Sequence, residues 1–431
     1  MNKKAEFFSF VIPSVLAFAL SGVYAVVDGF FIGNTIGDAG LAAINIAWPV
    51  TALLQAVGTG IGMGGAVQYS LHLNEEKKSF FNITIILLFC SGLLLMVLLF
   101  PILKPLLILL GAEGDLLSMG LDYLYIILIG CLFQVFSTGF LPLIRNMGGS
   151  LMAMIAMICG FLTNIVLDFL FIKVFLWGLG GAAAATVIGQ AVTMILAVIY
   201  FFNKKISFSL PSFQLIKERT TPVLLVGLSP FGLTFSPNII LIFMNKAAMI
   251  YGGQEAVSCY AVVAYITMIV LLLLQGVGDG SQPLISRCYG SGNQKQFSQF
   301  RRLAYLTGLV LALLCMVLLF FLRESAAELF GASHEVRKDV SEVLLFFIAA
   351  FCFQAFVRVT ISSFYAAEKN GFAYILVYAE PCLLLLSLLT LPKLWDMTGV
   401  WIASPLSQIV TAFIAVYLFY RSYRKEKSIS D

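Results

Sequence analysis

The stretch "NIVLDFLFI" at 164–172 sets an amide and a carboxylate four residues apart inside an otherwise apolar run. A carboxylate at the centre of a membrane helix costs roughly 2.5–3.5 kcal/mol on insertion scales, so Asp168 needs a reason to be there. At i and i+4, Asn164 and Asp168 share one helix face. Ser21, Tyr24 and Asp28 form a second polar stripe at i, i+3, i+7, and Thr186 with Gln190 forms a third at i+4. In lipid such faces turn inward. Two carboxylates, an amide oxygen and a hydroxyl are hard ligands suited to Na⁺. They suit a proton equally well, because two carboxylates crowded in a low dielectric resist ionising together.

These stripes must be carried by membrane helices. The 431 residues are 60% hydrophobic and only 11% charged, more apolar side chain than a soluble domain of this length can bury. Runs such as "ITIILLFCSGLLLMVLLF" are long enough to cross a bilayer. Hydropathy and the Gly, Pro and charge breaks predict twelve spans. Spans one to six cover 8–33, 41–71, 82–110, 118–143, 150–175 and 178–203; spans seven to twelve cover 220–250, 256–288, 300–330, 341–366, 371–392 and 397–421. The start "MNKKAEFF" is basic, but the following run exceeds a signal-peptide core and lacks an A-x-A site, so span one is expected to be retained. Most of the 26 Lys and Arg residues fall at the termini and in the even-numbered loops, which predicts a multi-pass protein of the cell membrane with both termini cytoplasmic.

The chain also repeats itself. "LQAVGTG" at 54–60 returns as "LQGVGDG" at 274–280, and "GAAAATVIGQ" at 181–190 pairs with "GVWIASPLSQ" at 399–408, with an offset of 217–223 over most of each half. The expected fold is therefore all-α: twelve helices in two six-helix lobes, related by a pseudo-twofold along the membrane normal. The lobes span 1–203 and 220–431, joined by a cytoplasmic linker at 204–219. Such repeats enclose a cavity that rocking can expose to either side.

"VDGFFIG" (27–33), "RNMGGSLMAMIAMICGFLTNIVLDF" (145–169) and "GLGGAAAATVIGQ" (178–190) resemble motifs of the multidrug and toxic compound extrusion (MATE) transporters, and the resemblance runs over essentially the whole chain. It implies alternating-access efflux of amphipathic, often cationic, organic compounds, coupled to H⁺ or Na⁺. It also points to Asp28, Asn164, Asp168 and Thr186 as the cation site, the metal ligands if the ion is Na⁺, and to Pro13 as the bending point of span one. A proline removes a backbone hydrogen bond, so bending there is physically reasonable. Ser21, Tyr24, Gln190 and Glu380 are candidates for the substrate cavity.

The second half departs from part of that family. Some members carry an acidic pair in spans seven and ten, whereas here Asn245 stands where the repeat places Asp28, and span ten has no acid. Glu380 either contacts substrate or partners Arg358, the one cation placed mid-span. Gln55 and Gln275, present in both halves, fit helix-packing hydrogen bonds at least as well as function.

Other classes fit less well. A flippase for anionic lipid-linked saccharides would need several cations in its cavity, and only Arg358 is available. "GVGD" at 276–279 matches the G-x-G-D of intramembrane aspartyl proteases, but it is the second copy of "VGTG", and no Tyr-Asp dipeptide accompanies it. The Gly-rich run at 58–65 lacks a preceding strand and a P-loop lysine, so small-residue packing explains it better than phosphate binding. Eight scattered cysteines and two histidines, His72 and His334, make neither a disulfide framework nor a His-based metal site. No enzymatic chemistry, nucleic-acid partner or cofactor beyond the coupling ion is expected, and a monomer suffices.

Overall fold

Hydrocarbon offers no water to satisfy backbone N–H and C=O groups, so an apolar chain in a bilayer resolves into helices. The computed structural model describes residues 3–206, 208–329 and 334–430, and every element among them is helical. The side chain of His334, noted above, lies outside the described residues.

Spans one, two and three are Lys3–Thr35, Asp38–Leu71 and Asn74–Leu109; five and six are Ser150–Val174 and Gly178–Asn203. Spans nine, eleven and twelve are Gln294–Leu329, Asn370–Thr390 and Pro392–Ser430. One long run, Phe213–Gly290, supplies spans seven and eight, because Gly253 breaks it with φ at 66°, a conformation that favours glycine. Spans four and ten are bent pairs: Gly114–Ile129 with Cys131–Asn146 at 60°, and Arg337–Ile348 with Phe351–Ala366 at 47°. Twelve spans result among the described residues, as the hydropathy predicts. The bends at Gly130 and Ala350 fall at matching places in the two halves. Pro13 sits inside span one without ending it, since the helix runs unbroken from Lys3 to Thr35.

The chain forms two compact units, Met1–Phe235 and Ser236–Asp431. Each has its own apolar core. The first gathers Leu54, Phe80, Leu88, Leu124 and Ile144; the second gathers Tyr260, Ile266, Phe347, Leu384 and Trp401. The first unit extends past the 204–219 linker into span seven for a physical reason. Along span two, a Cβ on Gly62 would meet the Gly139 backbone of span four, and one on Gly64 would meet the Val223 carbonyl of span seven. Gly60 packs in the same way against Gly227 and Phe231. With no side chains between them, three helices touch through their backbones, the small-residue packing that membrane helices use.

Candidate functional site

Span five continues past Asp168 as a π-helical turn, Phe169–Val174. Such turns frequently mark functional positions in helices. Glycines bring its neighbour close. A Cβ on Gly189 would lie 2.7 Å from the Gly160 carbonyl and 3.1 Å from Asn164 Cβ, so spans five and six approach without side chains intervening. At that distance Asn164 Nδ2 donates to Thr186 Oγ1 at 3.3 Å. Two ring contacts set the register of span one on span five. Tyr24 stacks on Phe161 at 4.9 Å, and Phe31 meets Phe169 edge-on at 6.4 Å. Asp28 lies between Tyr24 and Phe31 on its helix, as Asp168 lies between Phe161 and Phe169. The two carboxyl groups consequently come close enough to interact directly.

Two further residues join them. Tyr123 of span four is buried, with Asp28, Asp168 and the hydroxyls of Thr51 and Thr186 around it. Tyr24 likewise faces both carboxylates and Thr186. Five of the twelve spans thus contribute to one spot. Asp168 is fully buried and Asn164 nearly so.

The hydrogen-bond inventory here is lopsided. Asp28 Oδ1, both oxygens of Asp168, Asn164 Oδ1 and Thr51 Oγ1 are buried without a hydrogen-bond partner. Buried polar atoms are nearly always partnered, so unsatisfied acceptors gathered at one place call for an explanation. All five are oxygens, and neither a lysine nor an arginine is among the groups that act on the two carboxylates. A cation is what this arrangement can bind: Na⁺ through carboxylate, amide and hydroxyl oxygens, or a proton shared by the carboxyls. Among the described residues no cluster of three His, Cys, Asp or Glu side chains exists that could hold a metal ion.

The remaining predicted residues are not among the groups that act on the two carboxylates. Ser21 donates back to the Phe18 carbonyl of its own helix at 2.7 Å. Gln190 accepts a short hydrogen bond from Ser137 of span four. Pro13 lies about four turns before Asp28 on span one. Glu380 belongs to the second unit, where Gln354 Nε2 donates to it at 2.7 Å. Its nearest partner is therefore this glutamine, with Arg358 acting on it electrostatically.

A profile of the MatE family matches residues 13–170 and 231–386, most of each half. The chain belongs to the MatE family. It is 23% identical over 417 residues to "Multidrug export protein MepA" of Staphylococcus haemolyticus, covering 95% of this chain and 92% of that one. The namesake from Staphylococcus saprophyticus is 24% identical over 425 residues with the same coverage. Among solved structures, the outward-facing conformation of a multidrug resistance MATE family transporter of the MOP superfamily matches with a TM-score of 0.89. It is 22% identical and covers 98% of this chain and 96% of that one. A MOP superfamily transporter from Pyrococcus furiosus, whose binding pocket is described as having reverse polarity, matches at 0.90 with the same identity and coverage. These likenesses establish a MATE fold of two six-helix lobes for this chain, which is a multi-pass membrane transporter and an all-α protein as its sequence predicts.

Tyr123 and Thr51 escape sequence reasoning. Tyr123 lies in "LDYLYIILI", where neither spacing nor a neighbouring polar stripe distinguishes it from Tyr125. Thr51 shares a helix face with Gln55 and Thr59 at i+4 and i+8, a spacing that fits helix packing as well as a site. The signal both carry is that of a polar group within an apolar span, which membrane helices reserve for interior faces.

Proposed function

We propose that this protein exports amphipathic, often cationic, organic compounds from the cell in exchange for H⁺ or Na⁺, by alternating access. The observation that carries this reading is the group of unsatisfied oxygens on Asp28, Asn164, Asp168 and Thr51, beside Thr186 and two tyrosines. Relatives named for multidrug export support the substrate class. The chain carries no nucleotide-binding motif in its spans, so an ion gradient supplies the energy.

In this reading the cation and the substrate exclude one another in time. Two unpaired carboxylates in a low dielectric make the cation-free state costly. Cation entry from outside neutralises Asp28 and Asp168, and Asn164 and Thr186 keep the site hydrogen-bonded as its charge changes. The hydroxyls of Tyr24 and Tyr123 reorient to donate to the charged form. Because Asp28 is on span one, its neutralisation changes how that helix sits on span five; Pro13 is the point at which the helix bends, and substrate is released outward. The protein works as a monomer in the cell membrane with both termini in the cytoplasm, and Glu380 is a candidate substrate contact in the second lobe.

The test is efflux from reconstituted vesicles, with the pH and Na⁺ gradients imposed separately and a panel of cationic and neutral dyes. Export that follows one gradient, and collapses with it, is the expected result. Dye export that ignores both gradients would overturn the coupling.

A further inference from the structure

Arg301 of span nine is 7% exposed, and cationic side chains are almost never that buried unless they are paired. Its guanidinium lies 4.8 Å over the Phe297 ring of its own helix and 4.8 Å over the Phe419 ring of span twelve. Aromatic faces attract a cation but offer no lone pair to its five N–H groups. Among the described residues no carboxylate and no hydrogen-bond acceptor meets those groups. None of the nitrogens is sealed off, so the exposure that remains includes the guanidinium. The neighbouring hydroxyls are already committed. Tyr305, one turn further along span nine, is bonded to Thr360 at 2.9 Å, and Thr360 gives its own proton to the Phe356 carbonyl at 2.7 Å. Lys369 donates to Ser422, one turn beyond Phe419, at 2.6 Å, so a second cation lies along the same face of span twelve.

Packing does not require a charge at this corner. With an offset of 220, Phe81 of span three stands where Arg301 does, and Phe201, offset 218 from Phe419, meets it edge-on at 5.2 Å. The first unit fills the corner with two rings, and the second replaces one of them with a guanidinium.

An apolar groove adjoins it. Spans nine and twelve both pack on the second half of span ten. Tyr305 bridges them, stacked on Phe356 of span ten at 5.1 Å and edge-on to Phe419 at 5.9 Å. On the other side of Phe356 the surface hollows into a cavity of about 260 Å³ between Cys352, Phe353, Phe356, Ala412, Phe413 and Val416. Span nine has 36 residues, about 54 Å, and Arg301 lies about 10 Å from its start at Gln294. A helix of that length overhangs a hydrocarbon core of about 30 Å at both ends, which sets the guanidinium at headgroup level and the cavity among the acyl chains.

We propose that Arg301 and this groove bind one anionic phospholipid, with its phosphate on the guanidinium and part of an acyl chain in the cavity. A planar guanidinium matches phosphate oxygens, and basic pockets between membrane helices recognise anionic headgroups. The site belongs to the second unit alone and is separate from the coupling cluster of the first.

The experiment titrates the purified, delipidated full-length chain in detergent with dioleoylphosphatidylglycerol, dioleoylphosphatidylcholine or inorganic phosphate. It reads melting temperature, and retained lipid by native mass spectrometry. Only phosphatidylglycerol is expected to raise the melting temperature of the wild type, with one molecule tightly retained. R301Q is expected to bind it about tenfold or more weakly, as the loss of charge-assisted hydrogen bonds does. R302Q, at the exposed neighbour, is expected to match the wild type, and V416W, which fills the groove without touching a charge, is expected to bind more weakly. Equal stabilisation by phosphatidylcholine, or wild-type retention by R301Q, overturns the proposal. An equal response to inorganic phosphate assigns a free-anion site and overturns the lipid, and wild-type affinity in V416W overturns the place given to the acyl chain. Should R301Q fail to fold, R301F decides, since it restores the ring that the first unit carries here; it is expected to fold and to bind as weakly as R301Q. If neither folds, Arg301 acts through packing and the proposal falls.

Discussion

The two lobes of this transporter place their buried charges on different helices. With the repeat offset applied, Asp28 and Asp168 of spans one and five correspond to Asn245 and Leu388, neither charged. In the other direction Asp279, Arg358 and Glu380 correspond to Thr59, Thr138 and Gly160. What repeats is the frame: bent spans four and ten, paired glutamines at 55 and 275 and at 134 and 354, and glycines where helices cross. What does not repeat is the electrostatics. The first lobe carries two acids with no lysine or arginine among the groups acting on them, whereas in the second Arg358 and the acids Asp279 and Glu380 act on one another. A duplicated helix bundle therefore constrains packing much more tightly than it constrains charge, and each lobe was free to acquire its own polar chemistry.

That contrast can be broken most severely at Asp168. Asp168→Asn removes a buried charge at nearly constant volume, so the protein is expected to insert and fold while gradient-driven efflux falls to the level of vesicles without a gradient; Asp28→Asn is expected to match it. Dye efflux with imposed gradients checks both. If Asp168→Asn retained full coupling while Asp279→Asn abolished it, the roles of the two lobes would be reversed.

Next comes Arg358→Ala, which removes a buried guanidinium together with its 3.2 Å hydrogen bond to Gln275 and is expected to cost about 1.5–3 kcal/mol of stability, as the loss of a hydrogen bond to a charged group does. Combining it with Asp279→Asn and Glu380→Gln should recover much of that loss, measured by thermal unfolding in detergent. A triple variant as unstable as Arg358→Ala alone would show that shape and not charge holds the second lobe.

Gly62→Ala tests the frame without touching either charge set. Its Cβ meets the Gly139 backbone, and spans two and four must part, at a cost of about 1–3 kcal/mol. Cation affinity should fall only as far as Thr51 and Tyr123 are displaced. Tyr123→Phe is a milder change: one hydroxyl beside the carboxylates is lost, worth about 0.5–1.5 kcal/mol, so cation affinity should drop by up to about tenfold with stability little changed. The smallest effect belongs to Arg219→Ala. Its 2.8 Å bond to Glu76 is a solvent-exposed ion pair, and such pairs contribute little. Transport and melting temperature should stay at wild-type values.

Much of this architecture is legible in the sequence because lipid imposes strict rules. Span count follows from apolar length, and the polar faces of spans one, five and six follow from their i+3, i+4 and i+7 spacings. Asn164, Asp168, Asp28 and Thr186 were accessible for that reason, and the structure brings them together. Ser21 and Gln190 share the same spacings, yet one bonds back to its own helix and the other to Ser137. Spacing gives the face of a helix and cannot give the partner across from it. Tyr123 has no polar stripe beside it, and Thr51 belongs to a stripe with Gln55 and Thr59 at i+4 and i+8 whose partner across the helix the spacing does not give. The 60° bend of span four is equally silent in the sequence, since Gly130 resembles many other glycines until Val187 is packed against it.

The glycine seam of span two has a consequence for how the protein is made. Span two is the least apolar of the nine long runs and the richest in glycine, so it is the weakest candidate to stand alone in the bilayer. One of the surfaces that covers it, around Val223, Gly227 and Phe231, lies far downstream. Translation proceeds from the N-terminus, and domains fold as their parts emerge. A ribosome that has completed six spans has thus released a lobe with one wall missing, and its Gly60–Gly64 backbone waits, facing lipid, until the start of the second half arrives to close it.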